Sequence, residues 1–92
     1  MIAIIDYGVG NLFSLRASLE RIGAKAAVTS DKAEIGRSDR IILPGVGAFE
    51  DAANKLRTSG LADVVLDEVK KGKPLMGICL VENKNSIDTN YI

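Results

Sequence analysis

The stretch Lys73-Pro74-Leu75-Met76-Gly77-Ile78-Cys79-Leu80 decides the fold of this chain. A Gly-Lys-Pro break and a short apolar run predict a buried strand whose carboxyl end carries Cys79, the single cysteine. Open α/β sheets hold their ligands and reactive groups at the carboxyl ends of parallel strands, so Cys79 is a candidate nucleophile. Free cysteines are also among the most frequently buried residues, and a small apolar core residue is therefore the alternative interpretation.

The composition is that of one small globular domain. The 92 residues are 47% hydrophobic and 26% charged, which is ordinary for such a domain. Twelve basic and twelve acidic residues give no net charge, so no electrostatic argument favours nucleic acid or a membrane as partner. The chain starts without a basic leader and has no long apolar run, and we expect a cytoplasmic protein. With one cysteine and no Cys/His pairing, we expect neither a metal nor a cofactor.

The chain contains no histidine. Cysteine hydrolases and transferases need a base that holds the thiolate and later protonates the leaving group, and histidine is the residue that most often does this. Any chemistry at Cys79 therefore proceeds without a Cys-His pair within this polypeptide.

Apolar periodicity predicts an α/β fold with a small parallel sheet of about four strands and flanking helices. The predicted strands are residues 2–5, 25–29, 40–43 and the run that ends at Cys79. The predicted helices are 12–22, a single turn at 31–35, 49–56 and 61–69. Asn11 is the expected N-cap of the first helix, whose apolar face would be formed by Leu12, Leu15, Leu19 and Ile22.

Two glycine-rich segments are expected at the same sheet edge as Cys79. The first is residues 7–11, and the second is Pro44-Gly45-Val46-Gly47, where the third strand is expected to stop at the proline. Glycines there free backbone N–H groups to form a small anion-binding concavity, although a plain turn is an equal alternative. A dinucleotide-binding site is disfavoured because Phe13 stands where the third glycine of that motif belongs.

Three stretches together resemble the class I glutamine amidotransferases. They are Ile5-Asp6-Tyr7-Gly8-Val9-Gly10-Asn11-Leu12, Leu43-Pro44-Gly45-Val46-Gly47-Ala48-Phe49 and the opening stretch, residues 73–80. Within that class the chain is similar to the glutaminase subunits of imidazole glycerol phosphate synthase, from histidine biosynthesis. The resemblance runs from residue 1 to residue 80, and it implies the amino-terminal half of a flavodoxin-like amidotransferase domain.

The resemblance implies a thiol that attacks the side-chain amide of glutamine, forms a glutamyl thioester and releases ammonia. The ammonia would pass to a separate cyclase subunit with a (β/α)8 barrel, in a heterodimer. Cys79 matches the nucleophile of the family. Its oxyanion and substrate-binding segment corresponds to Gly45, Val46 and Gly47, with the backbone N–H of Leu80 as a further donor. The remaining matches, in the glutamine pocket or on the partner surface, are Gly8, Gly10, Asn11 and Phe49.

Residues 81–92 depart from the family. After the counterpart of Leu80 the family continues with Gly-Met-Gln and an apolar helix, whereas this tail is polar and rich in asparagine. The catalytic His and Glu of the family's second half are absent, so we expect a fragment that is inactive alone. Val81 would also crowd the sharp strand-to-helix turn that holds such a nucleophile, and an ordinary thiol is expected.

The departure of residues 81–92 from the family also predicts that the chain self-associates. The strand that carries Cys79 is expected to be an apolar sheet edge with unpaired backbone groups, through which copies self-associate. The alternatives to a glutaminase subunit are a non-catalytic module that binds the cyclase, a dead fragment that neither binds nor reacts, and a thiol-bearing flavodoxin-like protein unrelated to glutamine.

Overall fold

The structure, a computed structural model, describes residues 1–8, 11–46, 49–82 and 87–91. In chain order its elements are β1 (Ile2–Ile5), α1 (Leu12–Arg21), β2 (Ala26–Thr29), α2 (Lys32–Arg37), β3 (Arg40–Val46), α3 (Phe49–Thr58), α4 (Leu61–Lys70), β4 (Leu75–Glu82) and β5 (Ile87–Tyr91). One sheet has the strand order β2-β1-β3-β4-β5. The first four strands of this order are parallel and β5 is antiparallel to β4. The predicted α/β fold with four parallel strands and flanking helices is confirmed.

Apolar side chains cover both faces of the sheet, as the continuous apolar run of β1 predicts. On one face, Ala3, Ile5 and Ile41 pack with buried residues of α2 and α4. On the other face, Ile4, Ile42 and Ile78 pack against α1. Alternate residues of each strand therefore join two separate cores, which hold the parallel strands in register.

The first two helices begin at the residues that their sequence signals indicate. The Asn11 side chain accepts a hydrogen bond from the Phe13 N–H at 3.2 Å and caps α1. Asp31 caps α2 in the same way, accepting from the Ala33 N–H at 3.0 Å. Two details of the predictions are wrong: α2 continues to Arg37, beyond the single turn expected, and Ile22 is 79% exposed outside the apolar face of α1.

The prediction that the third strand stops at Pro44 is wrong. β3 continues to Val46, and its residues from Ile41 pair with β4 up to Val46 opposite Leu80. Its pairing with β1 ends earlier, at Ile42. Residues of a strand point their backbone groups alternately to the two sides, and the Ile41 N–H bonds toward β4, so Pro44 faces the β1 side. No ladder partner stands there, so the missing N–H of proline breaks nothing.

The predicted position of Cys79 at the end of a strand is also wrong. β4 continues through Cys79 to Glu82, and no strand-to-helix turn follows Cys79 within the described residues. Residues 78–82 of β4 pair with β5, which is formed by the polar tail. The expected unpaired edge at this strand is therefore occupied, because an open ladder accepts the backbone of any extended segment whatever its side chains.

None of the helices in the described ranges is long and apolar enough to cross a membrane.

Candidate active site at the carboxyl edge of the sheet

The pairing of β3 with β4 brings together the backbone positions that the motifs indicate. The register joins Gly45 to Cys79 and Val46 to Leu80 as direct neighbours on adjacent parallel strands. Adjacent strands lie about 4.8 Å apart, so the backbone of the candidate nucleophile is one strand spacing from the glycine segment. The side chains of Cys79, Leu80 and Val46 lie outside the described part of the structure.

Gly45 itself differs from the sequence-based expectation of a loop. It lies in the extended part of β3, and its backbone faces β4, on the same side as Ile41. The predicted anion-binding concavity is therefore not formed at Gly45 and Val46, which continue the strand. Gly47, the last residue of that segment, lies outside the described residues, and so does Gly10 of the first glycine segment.

Tyr7 connects the end of β1 to this segment of β3. Its hydroxyl donates a hydrogen bond to the backbone carbonyl oxygen of Pro44. Tyr7 is buried, with 8% of its surface exposed, and Pro44 is also buried. Burial raises the pKa of the Tyr7 hydroxyl above its ordinary value, so the group stays protonated and remains a donor. The sequence placed Tyr7 in the glycine-rich segment 7–11 but indicated no role for its hydroxyl, although a buried tyrosine usually needs a partner for that group.

The chain after β1 forms a turn at the same rim. The Asp6 N–H bonds to the Thr29 carbonyl of β2 at 2.9 Å, and the Asp6 carboxylate accepts from the Gly8 N–H at 3.4 Å. Gly8 has a φ of 91°, a conformation that favours glycine. The Lys55 ammonium of α3 approaches the Gly8 carbonyl oxygen at 3.5 Å, so a cation from another element reaches this turn.

The structure shows no binding role for the described atoms of Asn11 and Phe49, the other residues predicted at the glutamine pocket or partner surface. Asn11 is exposed, and its side-chain oxygen is used in capping α1. Phe49 begins α3, and its side chain is outside the described part. Within the described ranges, no group of three or more His, Cys, Asp or Glu side chains could hold a metal ion.

Sequence comparison identifies relatives along most of this chain. It is 52% identical over 80 residues to the imidazole glycerol phosphate synthase subunit HisH of Geobacillus thermodenitrificans, covering 87% of this chain and 38% of that protein. The HisH subunit of Bacillus cereus is 56% identical over 80 residues, with the same coverage of 87% and 38%. HisH 2 of Pseudomonas aeruginosa is 49% identical over 81 residues, covering 87% of this chain and 40% of that protein. No protein-family model matches the chain.

The chain therefore spans about 40% of the length of the curated relatives that it matches. A solved structure described as a crystal structure of glutamine amidotransferase superimposes with a TM-score of 0.66 at 23% sequence identity. That superposition covers 84% of this chain and 41% of the solved one, and it shows a shared fold. The resemblance indicated by the motifs is confirmed: the chain is similar to an amino-terminal portion of the HisH subunit of imidazole glycerol phosphate synthase and has the corresponding part of the glutamine amidotransferase fold.

Proposed function

We propose that this chain provides the nucleophile-bearing part of a glutaminase that supplies ammonia to a cyclase partner in imidazole glycerol phosphate synthesis. The observation that carries the proposal is the β3–β4 register, which pairs Gly45 with Cys79. Similarity to HisH subunits over 87% of the chain supports glutamine as the substrate. Residues 1–80 would be the amidotransferase portion, and residues 81–92 a separate tail.

The chemistry begins when the Cys79 thiolate attacks the side-chain amide carbon of glutamine. The tetrahedral intermediate carries negative charge on oxygen, and fixed backbone donors about 3 Å away stabilise that charge. Segment 45–47 and the Leu80 N–H correspond to the donors of the family, and the N–H groups of Gly45 and Leu80 would have to leave the β3–β4 ladder to act as donors. Collapse of the intermediate breaks the carbon–nitrogen bond and leaves a glutamyl thioester, which water hydrolyses to glutamate.

A proton must reach the leaving nitrogen before it departs as ammonia, and histidine usually delivers it. The 92-residue polypeptide has no histidine, so we propose that it does not turn over glutamine alone. The β4 strand also continues past Cys79, so the thiol lacks a directly following helix N-terminus, one of the features that favour a thiolate. Binding of glutamine at Cys79 and turnover of glutamine are therefore separate questions for experiment.

Alkylation by a glutamine-like electrophile tests the proposed site without requiring turnover. We expect a chloroketone analogue of L-glutamine to label Cys79 about tenfold faster than its D enantiomer, a difference of about 1.4 kcal/mol in recognition. Mass spectrometry of the labelled chain locates the adduct, and Cys79→Ser is the control that removes it. Equal rates for the two enantiomers would contradict a glutamine site.

Turnover is tested by measuring ammonia from glutamine with the purified chain, with Cys79→Ser in parallel. We expect both proteins to give the same background rate. Ammonia release that depends on Cys79 would show that the proposed inactivity is wrong.

The absence of histidine favours one second candidate, a non-catalytic module that binds the cyclase subunit. A calorimetric titration of the chain with the cyclase, with ammonia assayed in the same mixture, separates the two functions. Binding without ammonia, together with equal labelling by the two enantiomers, supports the module. Selective labelling by the L enantiomer supports the glutaminase site.

A further inference from the structure

Pro44 poses a hydrogen-bonding problem that Tyr7 solves. The β1–β3 ladder ends with Ile4 opposite Ile42, and Pro44 is the next residue of β3 that faces the same side. Its carbonyl oxygen is beyond the reach of the ladder, yet the residue is buried. A buried carbonyl without a partner is costly, and the Tyr7 hydroxyl supplies the donor. The phenol therefore extends the connection between β1 and β3 past the last backbone pair.

The orientation of this one carbonyl determines the direction of the next N–H group. The peptide unit between Pro44 and Gly45 is planar, so its carbonyl and its N–H point in opposite directions. With the Pro44 carbonyl directed at Tyr7, the Gly45 N–H is directed at β4, where Cys79 is the register partner.

The ring of Tyr7 is itself held in place. It belongs to the buried cluster formed with Ile5, Ile41, Leu61 and Val65, so residues of β1, β3 and α4 surround it. A hydroxyl on an immobilised ring defines a fixed point for its acceptor, which a mobile surface side chain would not do.

We propose that Tyr7 is a positioning residue, whose hydroxyl sets the backbone of Pro44 and Gly45 opposite Cys79 and so fixes where β3 leads into the rest of the proposed oxyanion segment. This inference rests on the proposed glutaminase site. In it, Tyr7 acts through the β3 backbone.

The test compares Tyr7→Phe with Ser38→Ala. Ser38 is a matched control because its hydroxyl is also buried and also donates to a backbone carbonyl, that of Ile35, at 2.6 Å. It lies just before β3, at the opposite end of that strand from Gly45. Nuclear magnetic resonance of the isotope-labelled chain reports the Pro44 carbonyl resonance and the hydrogen exchange rate of the Gly45 amide.

In Tyr7→Phe we expect the Pro44 carbonyl resonance to move upfield and the Gly45 amide to exchange about tenfold faster, as loss of one buried hydrogen bond predicts. In Ser38→Ala we expect neither change. An unchanged Pro44 resonance in Tyr7→Phe, or the same acceleration in both variants, would overturn the inference. If Tyr7→Phe fails to fold, the same spectra of the wild-type chain provide the test. A cross-peak between the Tyr7 hydroxyl proton and Pro44 would support the inference, and absence of that cross-peak would overturn the inference.

Alkylation of Cys79 then separates positioning from general destabilisation. In Tyr7→Phe we expect the L-glutamine chloroketone to lose most of its advantage over the D enantiomer, while iodoacetamide reacts at the wild-type rate. A preserved advantage would overturn the positioning role. If the L and D enantiomers label the wild-type chain at equal rates, the proposed function is contradicted instead. The Pro44 resonance and the Gly45 exchange rate would then still show whether Tyr7 positions the β3 backbone.

Discussion

Lys73, which lies just before β4, forms an ion pair and several hydrogen bonds to other elements. Its ammonium pairs with the Glu68 carboxylate of α4 at 2.8 Å and donates to the carbonyl oxygens of Ile35 at 2.8 Å and Gly36 at 3.0 Å. The Lys73 and Glu68 side chains are only 11% and 13% exposed. A cation at the carboxyl end of α2 also meets the negative end of that helix. One lysine thus joins α2, α4 and the start of β4.

Glu68 provides a prediction about acid stability. The hydrogen bond from Lys73 is the main cause that lowers the pKa of the Glu68 carboxyl below its ordinary value of 4.5. A lowered pKa in the folded state means that the ionised carboxylate stabilises the fold above pH 4.5, and that this contribution is lost as the pH falls through the lowered value.

We therefore expect Glu68→Gln to be less stable than the wild type at pH 7 and to lose less stability on acidification below pH 4.5. Urea unfolding followed by circular dichroism between neutral pH and pH 3 measures both effects, since acid loss of such carboxylates falls in about this range. Asp67→Asn, at an exposed neighbouring carboxylate on α4, is the control and should follow the wild-type pH dependence. Parallel pH profiles for Glu68→Gln and the wild type would contradict the account.

At the level of elements, Ile78 is the residue that packs β4 against α1. This side chain is 4% exposed and packs in the cluster that joins the sheet to Leu12 and Leu15 of α1. Met76 precedes it by two residues and therefore lies on the same face of the strand, but it is 44% exposed.

We expect Ile78→Ala to lower the free energy of unfolding by about 2 to 5 kcal/mol, since it removes buried methyl groups and leaves a cavity. Met76→Ala should cost less, about 1 kcal/mol, because almost half of the residue is already exposed to water. Urea denaturation of the two variants provides the comparison. Equal losses for the two variants would mean that β4 does not pack against α1 as described.

The same elements show what local sequence patterns can predict. The first strand, α1 and α4 were predictable because apolar spacing and capping residues lie within each segment. The continuation of β3 through Pro44 was not predictable from local patterns, because it depends on where β1 ends and on the distant hydroxyl of Tyr7. The strand formed by the tail was missed although Ile87, Thr89 and Tyr91 alternate there with polar residues, because the partner that pairs with it lies in β4.

For the whole molecule, the position of β5 determines which sheet edge is open. The antiparallel pairing of β4 with β5 occupies the backbone of residues 78–82, where the departure of the tail from the family had predicted an open edge. Self-association through that edge stays a prediction. It is tested most directly with a chain from which β5 has been removed.

We expect a variant that lacks residues 83–92 to self-associate more strongly than the 92-residue chain, because deletion exposes unpaired groups on an apolar strand. Sedimentation velocity at matched concentrations measures the change, with the intact chain as reference. Identical sedimentation of the two proteins would show that β5 does not protect the edge.

The candidate site was predictable to the extent that it depends on strand order. Motif positions placed Cys79 and Gly45 at one edge of a parallel sheet, and the register joins them. The local geometry was not predictable, because a glycine pair is compatible with a turn and with an extended strand, and the neighbouring strands decide between them. The role of the Tyr7 hydroxyl was missed because its acceptor lies 37 residues away in the sequence.

The most direct test of the whole account is the register between β3 and β4. Nuclear Overhauser effects between backbone protons in solution report which residues of parallel strands face each other. The account predicts cross-strand effects that join Ile41 to Leu75, Leu43 to Gly77 and Gly45 to Cys79. A shifted register, or no cross-strand effect between the segments around Gly45 and Cys79, would contradict it.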